Sequence, residues 1–183
     1  VSADVVPEKA MLLVDQAALE CALTRLADEL NASFNHAADA VVVLTVMNGA
    51  MVFAGQLIPK LQFPVICDYL HATRYDSANK TGELSWKVRP SVQLFGRTVI
   101  VLDDILDQGV TCAAIKAFCE AAGAAQVTFV VMVAKPSGCR RVSFEADFVG
   151  LPIPDHFVFG MGMDYSGLYR NLPAIYFMPK EEF

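Results

Sequence analysis

An α/β fold, with a twisted and mainly parallel sheet flanked by helices and a smaller irregular C-terminal piece, follows from three features of the chain. Continuous β-branched runs alternate with stretches of helical periodicity. Those runs carry few polar breaks, as strands buried on both faces do. The length, 183 residues, suits one domain with a full core and would be cramped as two.

The elements follow in order. Asp15 is placed to cap a helix reaching about Asn31, in which Leu19, Leu23, Leu26 and Leu30 form one apolar stripe. Ala40–Met47 reads as a buried parallel strand, Gly49–Leu61 as a helix ended near Pro59 and Pro64, and Pro64–Ala72 as a second strand. Thr73–Pro90 is polar and charged, holds the only tryptophan, Trp86, and reads as a long exposed hairpin or loop, of the kind that is mobile or functional. Thr98–Leu102 is a third buried strand, Ala113–Ala122 continues a helix closed by Gly123, and Val127–Ala134 is a fourth strand. Asp147–Gly150, Phe157–Gly160 and Ala174–Met178 are short further strands.

Composition narrows the function. Apolar residues make up 55% and charged ones 19%, which excludes a disordered chain. With 14 basic and 20 acidic residues the net charge is −6, against a protein that grips nucleic acid electrostatically. No run approaches the ~18 apolar residues of a membrane span, and the first residues lack a signal-peptide pattern. The five cysteines are odd in number, form no CxxC and lie away from the three histidines, so no zinc site is expected. Cys112 and Cys119 read as small core residues, and the thiols as reduced in a cytoplasmic protein.

The chemistry gathers in Val99–Thr111, VIVLDDILDQGVT. Asp103 and Asp104 leave the carboxyl end of a strand, where open α/β sheets place their ligands. Asp107, Gln108, Gly109, Val110 and Thr111 then turn into a helix, and a helix N-terminus with unpaired amides suits a phosphate dianion. The paired acids suit vicinal hydroxyls or a magnesium ion. Simple helix capping is the plain alternative. A phospho-acceptor receiver domain also carries paired acids at a strand end, but there the pair lies near the domain start. Here it sits mid-chain, with only 36 residues after the candidate acceptor Asp147.

This segment resembles the phosphoribosyl-pyrophosphate signature of the type I phosphoribosyltransferases. Downstream, Val133-Ala134-Lys135, Asp147-Phe148-Val149-Gly150, Ile153-Pro154-Asp155, Phe157-Val158, Met163-Asp164-Tyr165 and Tyr169-Arg170-Asn171-Leu172 resemble the hypoxanthine-guanine phosphoribosyltransferases. The resemblance runs from about Ala40 to Met178. It implies one domain over 1–183, with a core of about 37–150, a purine-binding hood from about 1–14 and 151–183, and a lid loop.

The implied activity is purine salvage: phosphoribose passes from phosphoribosyl pyrophosphate to N9 of hypoxanthine or guanine, giving IMP or GMP and diphosphate. The implied roles follow residue by residue. Asp103 and Asp104 hold the ribose hydroxyls and the magnesium-bound diphosphate, and Asp107 through Thr111 wrap the 5′-phosphate. Asp107 serves as general base near N7, Lys135 donates to the 6-oxo oxygen, Phe157 stacks on the purine and the Val158 backbone reads the ring edge. Asp164 binds a second magnesium, and Arg170 meets the diphosphate.

Two turns depart from the family pattern. Met47-Asn48-Gly49-Ala50 stands where Lys-Gly-Gly is usual, so Asn48 replaces a cation and the backbone amides around Gly49 take over. The family's non-proline cis peptide falls at Met47-Asn48. Arg74-Tyr75 stands where the lid usually offers Ser-Tyr, with Arg74 a candidate replacement for the missing charge. Transfer to another base, xanthine first, is the rival within the fold. A nucleotide-sensing RNA-binding regulator is the rival outside catalysis, disfavoured by the charge. A homodimer or homotetramer is the expected assembly.

Overall fold

In the computed structural model the described residues are 6–36, 39–74 and 84–179. A six-stranded sheet forms the centre. Its strands are β2 (Val41–Val46), β3 (Val65–Arg74), β4 (Leu84–Val88), β5 (Thr98–Leu106), β6 (Gln126–Ala134) and β7 (Phe148–Pro152), in the spatial order β4-β3-β2-β5-β6-β7. Every pair is parallel except β3–β4 at the edge. The mainly parallel α/β sheet is therefore as the sequence predicts.

Burial on both faces explains the apolar runs. All six residues of β2 are buried. Along β5, Ile100 and Leu102 face one core while Val99 and Val101 face the other. The first core is covered by α1 (Gln16–Phe34) and α2 (Met51–Leu57), the second by α3 (Val110–Ala121). Asp15 caps α1, its Oδ1 accepting the Ala18 N–H at 2.8 Å, and the four leucines of the stripe are all buried. Cys112 and Cys119 are buried in the second core.

Several boundaries differ from the sequence reading, four of them with a clear cause or consequence. α1 runs to Phe34, which packs on Phe63 with ring centroids 5.6 Å apart. α2 is shorter than Gly49–Leu61 and gives way to a 3-10 turn at Ile58–Lys60, where Pro59 cannot continue the α-helical ladder. β5 extends four residues past Leu102, so Asp103 and Asp104 lie on the strand and the turn begins at Asp107. The exposed Thr73–Pro90 stretch is partly sheet: β3 continues to Arg74 and pairs with β4, and Trp86 packs on Phe118 at 4.5 Å. Residues 75–83, which include Tyr75, expected from the resemblance in a lid, lie outside the described residues, and the side chain of Arg74 is not described.

A second, three-stranded antiparallel sheet sits above the carboxyl ends of β5 and β6. It joins β1 (Met11–Val14) to β9 (Ile175–Phe177) and β9 to β8 (Val158–Phe159). β1 has no counterpart in the sequence reading, because four residues are too few to show a period. Chain topology now locates the cleft. From β2 the chain moves to β3 on one side; from β5 it moves to β6 on the other. Between two such strands the connections diverge, and an open α/β sheet leaves a crevice at their carboxyl ends.

Candidate active site

Two adjoining cavities fill that crevice. The larger, about 360 Å³, lies between the turn after β2 and the turn after β5. The smaller, about 200 Å³, lies between β5, Lys135 and the hood. Asp104, Ile105, Asp107 and Asp164 line both, so the two are lobes of one cleft.

The first lobe is built by close backbone approach. The turn after β2 holds a cis peptide at Met47–Asn48, at the position the sequence indicates. Gly49 packs directly against the Asp104 carboxylate, and Gly162 of the hood packs on the Gly49 carbonyl; a side chain at either glycine would collide. Gly162 also sits at φ 99°, a left-handed conformation costly for other residues. Opposite, Gly109 takes φ 78° and starts α3 without any side-chain cap, leaving first-turn amides to serve a ligand.

Asp103 and Asp104 are the electrostatic centre of this lobe. Both carboxyls are held above the usual carboxylate range, first by burial and, for Asp103, also by the neighbouring Asp104. Their hydrogen bonds are few. Asp103 accepts the Asp104 N–H at 3.1 Å and faces the Cys112 thiol at 3.6 Å; Asp104 accepts the Ile105 N–H at 2.8 Å. Burial also pushes the Cys112 thiol far up, so it stays a neutral donor. Arg170 partly compensates Asp104. It is fixed by donating to the Gly162 carbonyl at 2.7 Å and to Asp164 at 2.6 Å.

The second lobe centres on Lys135, just past the end of β6. Its ammonium lies 3.0 Å from Asp155 and 3.4 Å from Asp107, with only 11% of the side chain exposed. Burial opposes its charge, but the two carboxylates outweigh that and hold its pKa above the ordinary lysine value. Lys135 is thus a charged donor and never an acceptor. Phe157 is 60% exposed and meets the edge of Tyr165 at 5.8 Å, leaving a ring face at the mouth of the lobe beside Val158.

The structure brings together nearly every residue the sequence singles out. Asn48, Gly49, Asp103, Asp104, Asp107, Gln108, Gly109, Thr111, Asp164 and Arg170 line the first lobe; Lys135, Phe157 and Val158 line the second. Val110, the first residue of α3, lines neither. Several residues at the cleft carry no assignment from the sequence. Among them, His71 on β3 lines the first lobe, His156 lines the second and stacks on Phe177 at 4.4 Å, and Asp155 stands beside the second lobe as an ion-pair partner of Lys135. For Asp155 a signal existed, since Ile153-Pro154-Asp155 belongs to the resembling run; for the histidines there was none.

Comparison with known proteins agrees with this geometry. The profile of the phosphoribosyl transferase domain matches residues 12–166. The hypoxanthine-guanine phosphoribosyltransferase of Bacillus subtilis is 33% identical over 135 residues, 73% of this chain and 74% of that one. A crystal structure of a hypoxanthine-guanine phosphoribosyltransferase from Bacillus anthracis is 31% identical, with a TM-score of 0.83 over 91% of this chain and 95% of that one. A Trypanosoma cruzi hypoxanthine phosphoribosyltransferase solved with its product IMP shares the fold, with a TM-score of 0.88 at 24% identity over 96% and 95% of the two chains. The chain belongs to the phosphoribosyltransferase family, and within it to the hypoxanthine-guanine type of purine phosphoribosyltransferase.

Proposed function

We propose that the protein transfers phosphoribose from phosphoribosyl pyrophosphate to N9 of hypoxanthine or guanine, releasing diphosphate and giving IMP or GMP. One observation carries this reading: Asp107 reaches both lobes, at the start of the phosphate-type turn and 3.4 Å from the Lys135 ammonium. A single ligand with a phosphate at one end and a purine at the other spans that arrangement. IMP bound to the Trypanosoma cruzi relative is such a ligand.

The amides from Gln108 to Thr111 take the 5′-phosphate, and Asp103 with Asp104 takes the ribose hydroxyls. Asp107 accepts the proton of the purine at N7 as the new bond forms at N9. Lys135 donates to O6, Phe157 stacks on the ring and the Val158 backbone reads its edge. Arg170 and the Asn48–Gly49 amides lie where charge grows on the departing diphosphate, and preorganised donors there favour an oxocarbenium-like transition state.

The residues present fit a magnesium ion. Among the described residues no three His, Cys, Asp or Glu converge as a cage. Magnesium, however, is usually held by one or two carboxylates, with substrate oxygens and water completing the shell. Asp103 is buried and Asp104 half-buried, both with few donors of their own, which is the chemistry such an ion relieves, and Asp164, which also lines the cleft, would hold a second. When bound, the ion supplies positive charge to the leaving diphosphate.

The decisive experiment incubates the protein with magnesium, phosphoribosyl pyrophosphate and each purine in turn. IMP and GMP are the expected products, with adenine used at least about 10²-fold less well because Lys135 has no acceptor to meet. Equal use of adenine overturns the base assignment, and absence of any nucleotide overturns the activity. Action in the cytoplasm fits the five free cysteines. A homodimer or homotetramer fits the exposed Met51 and Tyr69, and sedimentation tests it.

A further inference from the structure

Between Lys135 and β7 the chain folds back over the turn that starts α3. Arg140, in this connection, has only 8% of its side chain exposed. Its Nη1 donates to the carbonyls of Leu106 at 3.2 Å and Asp107 at 2.6 Å, while Nη2 donates to the Lys135 carbonyl at 3.0 Å. The neighbouring Arg141 N–H donates to the Gln108 carbonyl at 2.9 Å. The Arg140 stem passes beside Gly109, 3.5 Å from where a Cβ on that glycine would lie. An acidic neighbour, Glu145, is 3.9 Å away and 71% exposed, so that pair contributes little.

The placement of those three carbonyls matters. β5 and β6 are held in register up to Leu106 opposite Ala134, and the Lys135 N–H still bonds the Leu106 carbonyl at 3.0 Å. There the ladder ends. Asp107 and Lys135 are the next residues on the two strands, and the carbonyls of both are bridged by one planar guanidinium. A buried cation held by carbonyl dipoles through Nη1 and Nη2, with its Nε left without a partner, costs desolvation, and bridging three acceptors in two directions needs the rigid fork that lysine lacks. Fixing the backbone of both residues also fixes where their side chains start.

We propose that Arg140 is a positioning residue for base choice: by tying the backbone carbonyls of Asp107 and Lys135 together beyond the end of the sheet, it sets the spacing between the group that faces N7 and the group that faces O6. Arg140 touches no substrate. The proposal rests on the activity given above, and it deepens that reading by naming what holds the purine-reading pair in register.

The test compares binding of IMP and AMP, which share phosphate and ribose and differ in the base. Dissociation constants of both are measured by calorimetry for the native protein, Arg140→Lys and Arg140→Gln, with circular dichroism and a thermal midpoint for each. The native protein is expected to favour IMP by about 10²-fold. The variants are expected to narrow that ratio by about tenfold, since small misplacement of a contact group is costly. A merely structural role would lower the midpoint or the folded fraction and leave the ratio unchanged. Arg140→Gln keeps an amide able to donate, and serves where Arg140→Lys does not fold. An unchanged ratio in a folded variant overturns the proposal. A native protein that binds AMP as well as IMP overturns the base assignment itself, and the proposal with it.

Discussion

Asp68 on β3 and the Asp103–Asp104 pair on β5 lie two strands apart in one sheet, and their carboxylates meet opposite surroundings. Asp68 accepts the N–H groups of Tyr69, Ser91 and Val92 at 2.8, 2.7 and 2.8 Å and the Ser91 hydroxyl at 2.9 Å. Partial burial alone would raise its pKa, but those donors outweigh it and hold the carboxyl below the usual range. Asp147 is also tied to backbone: it accepts the Phe129 N–H at 2.7 Å and returns its own N–H to the Phe129 carbonyl at 2.9 Å. Asp103 and Asp104 are deeper, see each other, and receive little beyond their own backbone. An acid saturated by backbone donors is a fastener. A pair left with few donors keeps acceptor capacity that a ligand bringing charge or hydroxyls would use.

The contrast breaks most visibly at the cleft's own acids. Asp107→Asn keeps the shape of the turn and removes the proton acceptor, so kcat should fall about 10²–10⁴-fold with little change in phosphoribosyl pyrophosphate affinity. Steady-state kinetics decides it; a near-native kcat would take Asp107 out of the mechanism. Asp103→Asn should lower kcat/KM by about 10²–10³-fold. Its thermal midpoint should hold or rise, because burial disfavours the charged carboxyl and the amide carries no charge. A midpoint that drops by several degrees would make Asp103 a fastener like Asp68.

Lys135→Ala sharpens the picture from the base side. It should weaken use of hypoxanthine and guanine by about tenfold or more while phosphoribosyl pyrophosphate binding changes little, and narrow the gap to adenine. Rates with the three bases measured in parallel suffice, and an unchanged base preference contradicts the role. The smallest effect belongs to Asp68→Asn. It should leave kcat within about twofold and cost about 1 kcal/mol, the low end for charge-assisted bonds at a half-exposed carboxylate, or roughly 2–4 °C in midpoint.

That cost has a pH signature. A carboxyl whose folded pKa is depressed stabilises the fold above its unfolded value, near 3.9 for aspartate, and loses the contribution as pH falls through the lower folded value. The gap between native protein and Asp68→Asn should therefore be full at pH 6 and close below about pH 4. Denaturation at the two pH values measures it, and a gap that widens in acid reverses the sign of the argument.

Arg140 and Arg170 show why parts of the cleft stay hidden in the sequence. Arg170 stands in a run resembling known relatives, and it takes its expected place at the cleft. Arg140 sits in a polar loop where an arginine is ordinarily solvated, and only the returning chain buries it under three carbonyls. The hood is equally opaque to periodicity. Met161, Ser166 and Tyr169 take φ of 51°, 52° and 67°, alternating with glycines at positive φ, so neither a helical nor a strand pattern applies.

The linear sequence by itself determined the buried parallel strands, the leucine stripe of α1 and the acidic strand end and turn over Asp103–Thr111. Each depends on residues that are neighbours in the chain, whose spacing is the structural period or whose order is the turn. Tertiary structure alone decided that Asp68 is saturated and Asp103 is not, that Lys135 lies between Asp107 and Asp155, that β1 completes the hood sheet, and that Arg140 bridges β5 and β6 past their last rung. These depend on which distant backbone groups arrive beside a side chain. No local spacing records that arrival, because it is set by how the sheet and the hood close on each other.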